Sequence, residues 1–229
     1  MRRKILRAAA FFLFAGMMLI GGGQLLKIHR SYREAAERYA ETAARYTEAV
    51  ITVSNTTTDT DADHPHDTPQ PPISVDFAAL KAAYPDVVGW LYCEGTPINY
   101  PVAQGDDNAY YLRRDLDGNY AMAGTLFLDY RCSADFSDEN SVIYGHNMND
   151  GSMFAVLPDF SDPEFLLAHP TIWLLTETES TPFAIAGCRL AAAEDAVGSQ
   201  GSHGHGAVRG LTLSTCAGED ERWRLTAWE

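Results

Sequence analysis

The chain has 229 residues, enough for one ordinary domain with appendages, and carries 17 Lys and Arg against 31 Asp and Glu, a formal net charge of −14. Six of the basic residues fall within positions 1–30, which hold no Asp or Glu, so the remainder sets 11 basic against 31 acidic groups, a net −20. Such a surface excludes nonspecific nucleic-acid binding, because phosphate contacts need a basic face, and it fits a solvated extracellular domain.

Residues 1–7 contain Arg2, Arg3, Lys4 and Arg7 and read as a basic cytoplasmic N-terminus. Residues 8–26 are apolar apart from Gln24 and four glycines. At 1.5 Å rise per residue they make a helix of about 28 Å, enough to cross a hydrocarbon core. The run outlasts the apolar stretch of a cleaved signal peptide, so an uncleaved transmembrane helix is expected, with the N-terminus inside and the rest extracellular. Residues 27–50 are rich in helix formers with closely spaced opposite charges and read as a juxtamembrane stalk helix. Residues 51–72 switch to Thr, Asp, Asn, His and Pro. They cannot bury a core, and a disordered linker is expected there, with His64 and His66 solvated rather than bound to metal.

The folded domain is expected to span 73–229. Asp76 caps a short helix over 77–84 that Pro85 stops. Strand-like runs follow at 87–92, 98–102, 124–128, 141–144, 171–175, 182–190, 211–215 and 222–228. Glu94-Gly-Thr-Pro97, Asp117-Gly118 and Asn149-Asp-Gly151 punctuate them. Eight short strands with little long helix predict a mainly β domain, closed or nearly closed as a β-barrel. The four cysteines, Cys93, Cys132, Cys188 and Cys216, form no CxxC pair, so a zinc ribbon or thioredoxin-like site is unsupported. Outside the cell a disulfide among Cys93, Cys132 and Cys188 is open to the chain, the pair undetermined.

The chemistry concentrates near the C-terminal end. Along Leu211-Thr-Leu-Ser-Thr-Cys216, Leu211, Leu213 and Thr215 share one face, and Thr212, Ser214 and Cys216 the other. In the run that follows, Trp223, Leu225 and Ala227 form an apolar face and Arg222, Arg224 and Thr226 a polar one. A thiol beside a fixed cation is a thiol whose charged form is favoured. His146 ends the run Val142-Ile-Tyr-Gly-His146 where a strand opens into a loop, and is the candidate base. A thiolate, a proton shuttle and an oxyanion donor are what cysteine hydrolases and transferases need; Cys216, His146 and Arg222 would supply them.

Tyr144-Gly-His-Asn-Met148 with Gly151-Ser-Met-Phe154, and Thr212-Leu-Ser-Thr-Cys216 followed by Arg222-Trp223, closely resemble the sortases. Val87-Val-Gly-Trp90, Ile98-Asn-Tyr-Pro-Val102, Gln104-Gly-Asp-Asp-Asn108, Tyr110-Tyr-Leu112, Gly124-Thr-Leu-Phe-Leu-Asp129 and Asp135-Phe-Ser-Asp138 resemble class B in particular. The resemblance covers residues 75–175 and 210–228. It implies an eight-stranded sortase-type β-barrel with a short N-terminal helix, anchored on the outer face of a Gram-positive membrane. The implied reaction is transpeptidation. Cys216 attacks the threonine carbonyl of a C-terminal sorting signal on a secreted protein, giving a thioester. His146 protonates the leaving amine and then deprotonates the incoming peptidoglycan amine, while Arg222 donates to substrate or oxyanion. Signals of Asn-Pro-Gln-Thr-Asn or Pro-x-Thr-Gly type are implied. No cofactor or metal is expected.

Tyr144, Asn147, Ser214, Thr215 and Arg224 are the candidate substrate-binding residues. Arg222 and Arg224 share a strand face: Arg222 fits the family's Arg-Trp-x-x-x-Ala pattern, and Arg224 its spacing from the cysteine. One departure stands out. Class B enzymes usually carry a long helical insertion before the cysteine strand, and here only residues 191–210 occupy that place, including Gly198-Ser-Gln-Gly-Ser-His-Gly-His-Gly206 with His203 and His205. That leaves open an alternative: a weakly active or inactive barrel that binds sorting-signal or wall peptides.

Overall fold

Alternation between apolar and polar residues closes the sheet. The computed structural model describes residues 2–50, 69–193, 208–216 and 220–229; the side chains of residues 2–13, 15, 28 and 216 lie outside that description. Eight strands form a closed barrel: β3 (Val87–Tyr92), β4 (Asn99–Ala103), β5 (Leu126–Leu128), β6 (Asn140–Tyr144), β7 (Thr171–Leu175), β8 (Ser180–Ala192), β9 (Gly210–Cys216) and β10 (Glu221–Trp228). Their order around the barrel is β10-β8-β7-β3-β4-β5-β6-β9. All neighbours are antiparallel except β4–β5 and β6–β9. The eight strands expected from the sequence are these eight, shifted by a few residues at their ends.

The barrel interior is filled by one inward residue in two from each strand. Leu91, Val102, Leu126, Leu128, Ile143, Leu174, Leu211, Leu213 and Leu225 meet there, with Phe154, Leu157 and Phe160 from the segment after β6 closing one side. Burying a side chain of this size stabilises by about 1.5–3 kcal/mol. A second apolar layer lies outside the β3–β7 wall. Asp76 caps α2 (Phe77–Ala83) by accepting from the Ala79 N–H at 2.9 Å, as the sequence predicts. Phe77 and Leu80 of that helix pack on Trp90, Trp173 and Leu175.

The N-terminal region departs from expectation. The segments expected as anchor and stalk are parts of one 45-residue helix, α1 (Arg2–Tyr46). The expected transmembrane helix over 8–26 is not found: among the described residues no helix is long and apolar enough to cross a membrane. Much of that span falls on side chains outside the description, and the part that is described runs into Gln24, Lys27 and Arg30, which dilute its apolar character. The helix expected over 27–50 stops at Tyr46. Thr47–Ala49 is instead a strand, β1, antiparallel to β2 (Ile73–Val75). Asp76 N–H donates to the Tyr46 carbonyl and Val50 N–H to the Pro72 carbonyl, both at 2.9 Å. The last turns of α1 dock on the barrel, with Tyr39 and Tyr46 buried.

Residues 51–68 of the expected linker, with His64 and His66, and residues 194–207, with His203 and His205, lie outside the described residues. Cys93, Cys132 and Cys188 are free thiols, so the disulfide left open among them does not form. Cys93 instead donates to the Thr171 carbonyl at 3.4 Å. Burial pushes its thiol up to about 11 and that of Cys188 up to about 12, which leaves both protonated at neutral pH. Among the described residues no group of three or more His, Cys, Asp or Glu could hold a metal ion.

Candidate active site

The site is built where β6, β9 and β10 run side by side. β9 lies between a parallel neighbour and an antiparallel one. Tyr144 of β6 is paired with Ser214, and Gly145 N–H carries the ladder one step further by donating to the Ser214 carbonyl at 3.2 Å. His146 follows. On the other side Arg224 is paired with Ser214 and Arg222 with Cys216. Paired residues point to the same side of a sheet. Ile143, Leu213 and Leu225 face the interior and are wholly buried. The opposite face therefore belongs to Tyr144, Ser214, Arg224 and Arg222, the last paired through the backbone with Cys216. Because β6 and β9 are parallel, His146 and Cys216 leave the barrel at the same end, each two residues past a paired position. Neighbouring strands lie about 4.8 Å apart, so the two chains are one strand spacing apart at Tyr144 and Ser214, two residues before His146 and Cys216. The Cys216 side chain lies outside the described residues.

Gly145 is required by close approach. A Cβ there would sit 2.4 Å from Leu126 Cδ2 and 2.7 Å from Phe154 Cδ2, so the turn that presents His146 can press against the core only with glycine. The loop beyond is pinned back: Phe154 N–H donates to the His146 carbonyl at 2.9 Å, and Asn147 bridges to Met153. His146 Nε2 lies 2.7 Å from the Leu112 carbonyl. A carbonyl only accepts, so Nε2 carries the proton and Nδ1 is left as the exchanging nitrogen. Burial holds the imidazole below its ordinary value; the Arg113 guanidinium adds to this and the Leu112 bond opposes it.

Tyr144 anchors a polar cluster. Its hydroxyl donates to Asp129 Oδ2 at 3.0 Å, and the same carboxylate accepts from Asn108 Nδ2 (3.1 Å) and from Arg131 Nε and Nη2 (2.9 and 2.8 Å). The Arg131 hydrogen bonds hold the Asp129 carboxyl well below the usual carboxylate range. Burial pushes the Tyr144 phenol up to about 12, so it remains a donor. Ser214 and Arg224 are only 3% and 4% exposed. Arg224 Nη2 donates to the Ala192 carbonyl of β8 at 3.0 Å, whereas Arg222, half-buried, donates from Nη1 to the Glu221 carbonyl at 2.8 Å. Thr215 is on the other face: it is buried and its Oγ1 has no hydrogen-bond partner. Of the expected substrate-binding residues, then, the register brings Tyr144, Ser214 and Arg224 to the outer face of the wall, sets Asn147 in the exposed loop beyond His146, and turns Thr215 inward.

Sequence reasoning missed Asp129 and the Leu112 carbonyl. Asp129 was detectable as a lone carboxylate closing the apolar run Leu126–Leu128; a backbone carbonyl has no sequence signature. A cleft of about 730 Å³ between α1 and the 115–122 segment, lined by Glu34, Arg38, Tyr84 and Asp117 among others, includes none of the strand-end residues.

No family model matches the chain. It is 47% identical over 109 residues to Sortase B of Listeria monocytogenes, which covers 46% of this chain and 44% of that protein. It is 36% identical over 96 residues to Sortase B of Staphylococcus aureus, covering 42% and 39% respectively. The chain thus matches less than half the length of these curated relatives. Among solved structures, that of sortase B from B. anthracis in complex with AAEK1 superposes with a TM-score of 0.67 at 25% identity, covering 87% of this chain and 98% of that one.

Proposed function

We propose that this chain, similar in sequence and in fold to class B sortases, is a membrane-anchored cysteine transpeptidase. The observation that carries the reading is the register of β9 between its neighbours, with the His146 strand end on one side of Cys216 and Arg222 on the other. His146 Nδ1 takes the thiol proton of Cys216 as the sulfur adds to the threonine carbonyl of a C-terminal sorting signal. The carbonyl π-electrons pass to oxygen, and Arg222 donates to that oxyanion. The tetrahedral adduct collapses with cleavage of the C–N bond; His146 delivers a proton from Nδ1 to the departing amine, leaving a thioester on Cys216. A peptidoglycan amine then adds to the thioester, His146 takes its proton, and the thiolate departs as the new amide forms.

Asp129 fixes Tyr144, and Arg224 ties β10 to the end of β8, so the wall that receives the peptide is held by polar contacts on both sides. In this reading residues 8–26 anchor the protein in the membrane with the basic residues 1–7 inside and the barrel outside. A purely binding role rests on the shortness of residues 191–210, most of which lie outside the described residues, and nothing in the geometry favours it. The test is the intact mass of the protein after incubation with sorting-signal peptides. An acyl adduct is expected on the wild type and none on Cys216→Ala; an adduct that persists in the variant overturns the mechanism.

A further inference from the structure

Among the described residues His146 is oriented by one acceptor, the Leu112 carbonyl, 2.7 Å from Nε2. What holds that carbonyl lies outside the strands that build the site. Leu112 belongs to a single 3-10 turn, Tyr111–Arg113, a weak element with few hydrogen bonds of its own. The turn is clamped from the far side by residues 121–125. Thr125 N–H donates to the Tyr111 carbonyl (3.0 Å), Thr125 Oγ1 to the Arg114 carbonyl (2.9 Å) and Ala121 N–H to the Arg113 carbonyl (3.0 Å). Gly124, at φ +58, lies directly beneath. A Cβ there would come within 2.5 Å of the Leu112 oxygen and 2.6 Å of the Tyr111 oxygen. The backbone at Gly124 is therefore the floor on which the Leu112 carbonyl rests.

That floor is held from the N-terminal helix. The buried Tyr39 hydroxyl of α1 donates to the Gly124 carbonyl and lies 3.1 Å from Thr125 Oγ1. One residue earlier on the same helix, Arg38 pairs with the buried Asp115, just beyond the turn. Tyr39 reaches the other side of His146 too. Its ring packs edge-on against Tyr100, with centroids 5.6 Å apart. The Tyr100 hydroxyl accepts from Met153 N–H at 3.1 Å, and Met153 is bridged to Asn147, next to His146. One side chain of α1 thus stands behind both the acceptor that orients the imidazole and the loop that carries it.

We infer that Tyr39 is a positioning residue for His146: by fixing Gly124 and Thr125 it fixes the Leu112 carbonyl, which selects the Nε2–H tautomer and leaves Nδ1 free to carry the proton. Docking of the N-terminal helix on the barrel and readiness of the base are then one event. The inference rests on the catalytic role proposed for His146. The physical reason is the steep angular dependence of a hydrogen bond. A carbonyl free to tilt no longer holds a ring in one tautomer, and misplacement by a fraction of an ångström costs rate rather than binding.

The experiment uses the full-length protein in detergent micelles with imidazole nitrogens labelled. The His146 signals are assigned by their loss in His146→Gln. Tyr39→Phe keeps the ring against Tyr100 and removes only the hydroxyl. Its His146 nitrogens are expected to shift from a single Nε2–H pattern to a mixture of tautomers. On a sorting-signal peptide, kcat is expected to fall about 10-fold with KM within about 2-fold. Thr125→Val, nearly isosteric, should move both readouts in the same direction. A wild-type tautomer pattern in both variants overturns the inference, and so does a loss of thermal stability with the pattern unmoved, which would make Tyr39 merely structural. The spectra decide this even if the wild type turns over no peptide, an outcome that would sink the proposed reaction and not the relay.

Discussion

Two walls of the barrel are buried on both faces, and they are buried by different means. On the β3–β7 wall the inner face carries Leu91 and Leu174, and the outer face carries Trp90, Trp173 and Leu175 beneath Phe77 and Leu80. There the Trp90 Nε1–H donates to Asn99 Oδ1 at 2.7 Å. On the β6–β9–β10 wall the inner face carries Ile143, Leu211, Leu213 and Leu225 with the hydroxyls of Ser141 and Thr215 among them, and the outer face carries Tyr144, Thr212, Ser214 and Arg224, the last three nearly inaccessible to solvent. Burying apolar atoms is favourable in itself, whereas burying a hydroxyl or a guanidinium costs several kcal/mol unless each donor finds a partner. A wall that meets this cost, beside a histidine at its end, is organised for something other than stability.

The sharpest way to break that contrast is Cys216→Ala, which should abolish acyl-enzyme formation while far-ultraviolet circular dichroism stays native. Trp90→Ala should do the reverse. It is expected to cost about 3–5 kcal/mol of stability, read by denaturant unfolding, while the protein that remains folded still forms the adduct. Arg222→Gln should lower kcat by about 10²–10³-fold with little change in unfolding midpoint, as expected for a lost oxyanion donor. Arg224→Gln, by contrast, should move the midpoint, because its side chain ties β10 to Ala192. If Arg224→Gln leaves the midpoint unmoved and lowers kcat more than Arg222→Gln does, the two roles are exchanged. Asp129→Asn should cost about 1–3 kcal/mol and raise KM through the loosened Tyr144.

The smallest expected effect is on acid stability. Asp129 titrates lower in the folded state than its ordinary 3.8, so the unfolded state binds more protons. Its contribution is present above that value and lost as pH falls through the folded value. His146 is likewise lowered from 6.5, and acts in the same direction from a higher starting pH. The unfolding midpoint should therefore begin to drop below pH 6.5 and drop again below pH 3.8, and His146→Gln should remove only the first step. A midpoint flat between pH 7 and 5 in the wild type would show that the imidazole is not disfavoured as a cation.

The strands were legible because an apolar inner face and a polar outer face imprint a period of two, as at Leu211 and Leu213 against Thr212 and Ser214, even where both faces are buried. The Asp76 cap was legible because its chemistry is local. What could not be read was nonlocal or carried by the backbone. Thr47-Glu-Ala49 has helix-forming composition, and only its pairing with Ile73–Val75, 26 residues on, makes it a strand. The parallel pairing of β6 with β9 brings the ends of both strands to one end of the barrel, yet it spans about seventy residues and leaves no pattern in either strand. Leu112 matters through its carbonyl, which every residue possesses. The disulfide left open among Cys93, Cys132 and Cys188 failed for a related reason: spacing along the chain says nothing of which thiols are neighbours.

The short ribbon of β1 and β2 has a mechanical consequence. Since Val50 and Pro72 leave the fold as neighbours, the length of chain that joins them does not set how far apart the elements on either side lie. Nicking it with a protease should release no fragment under native conditions, and splicing extra residues into it should leave the distance from the N-terminal helix to the thiol unaltered. Reach, in this molecule, is set by a docked rod.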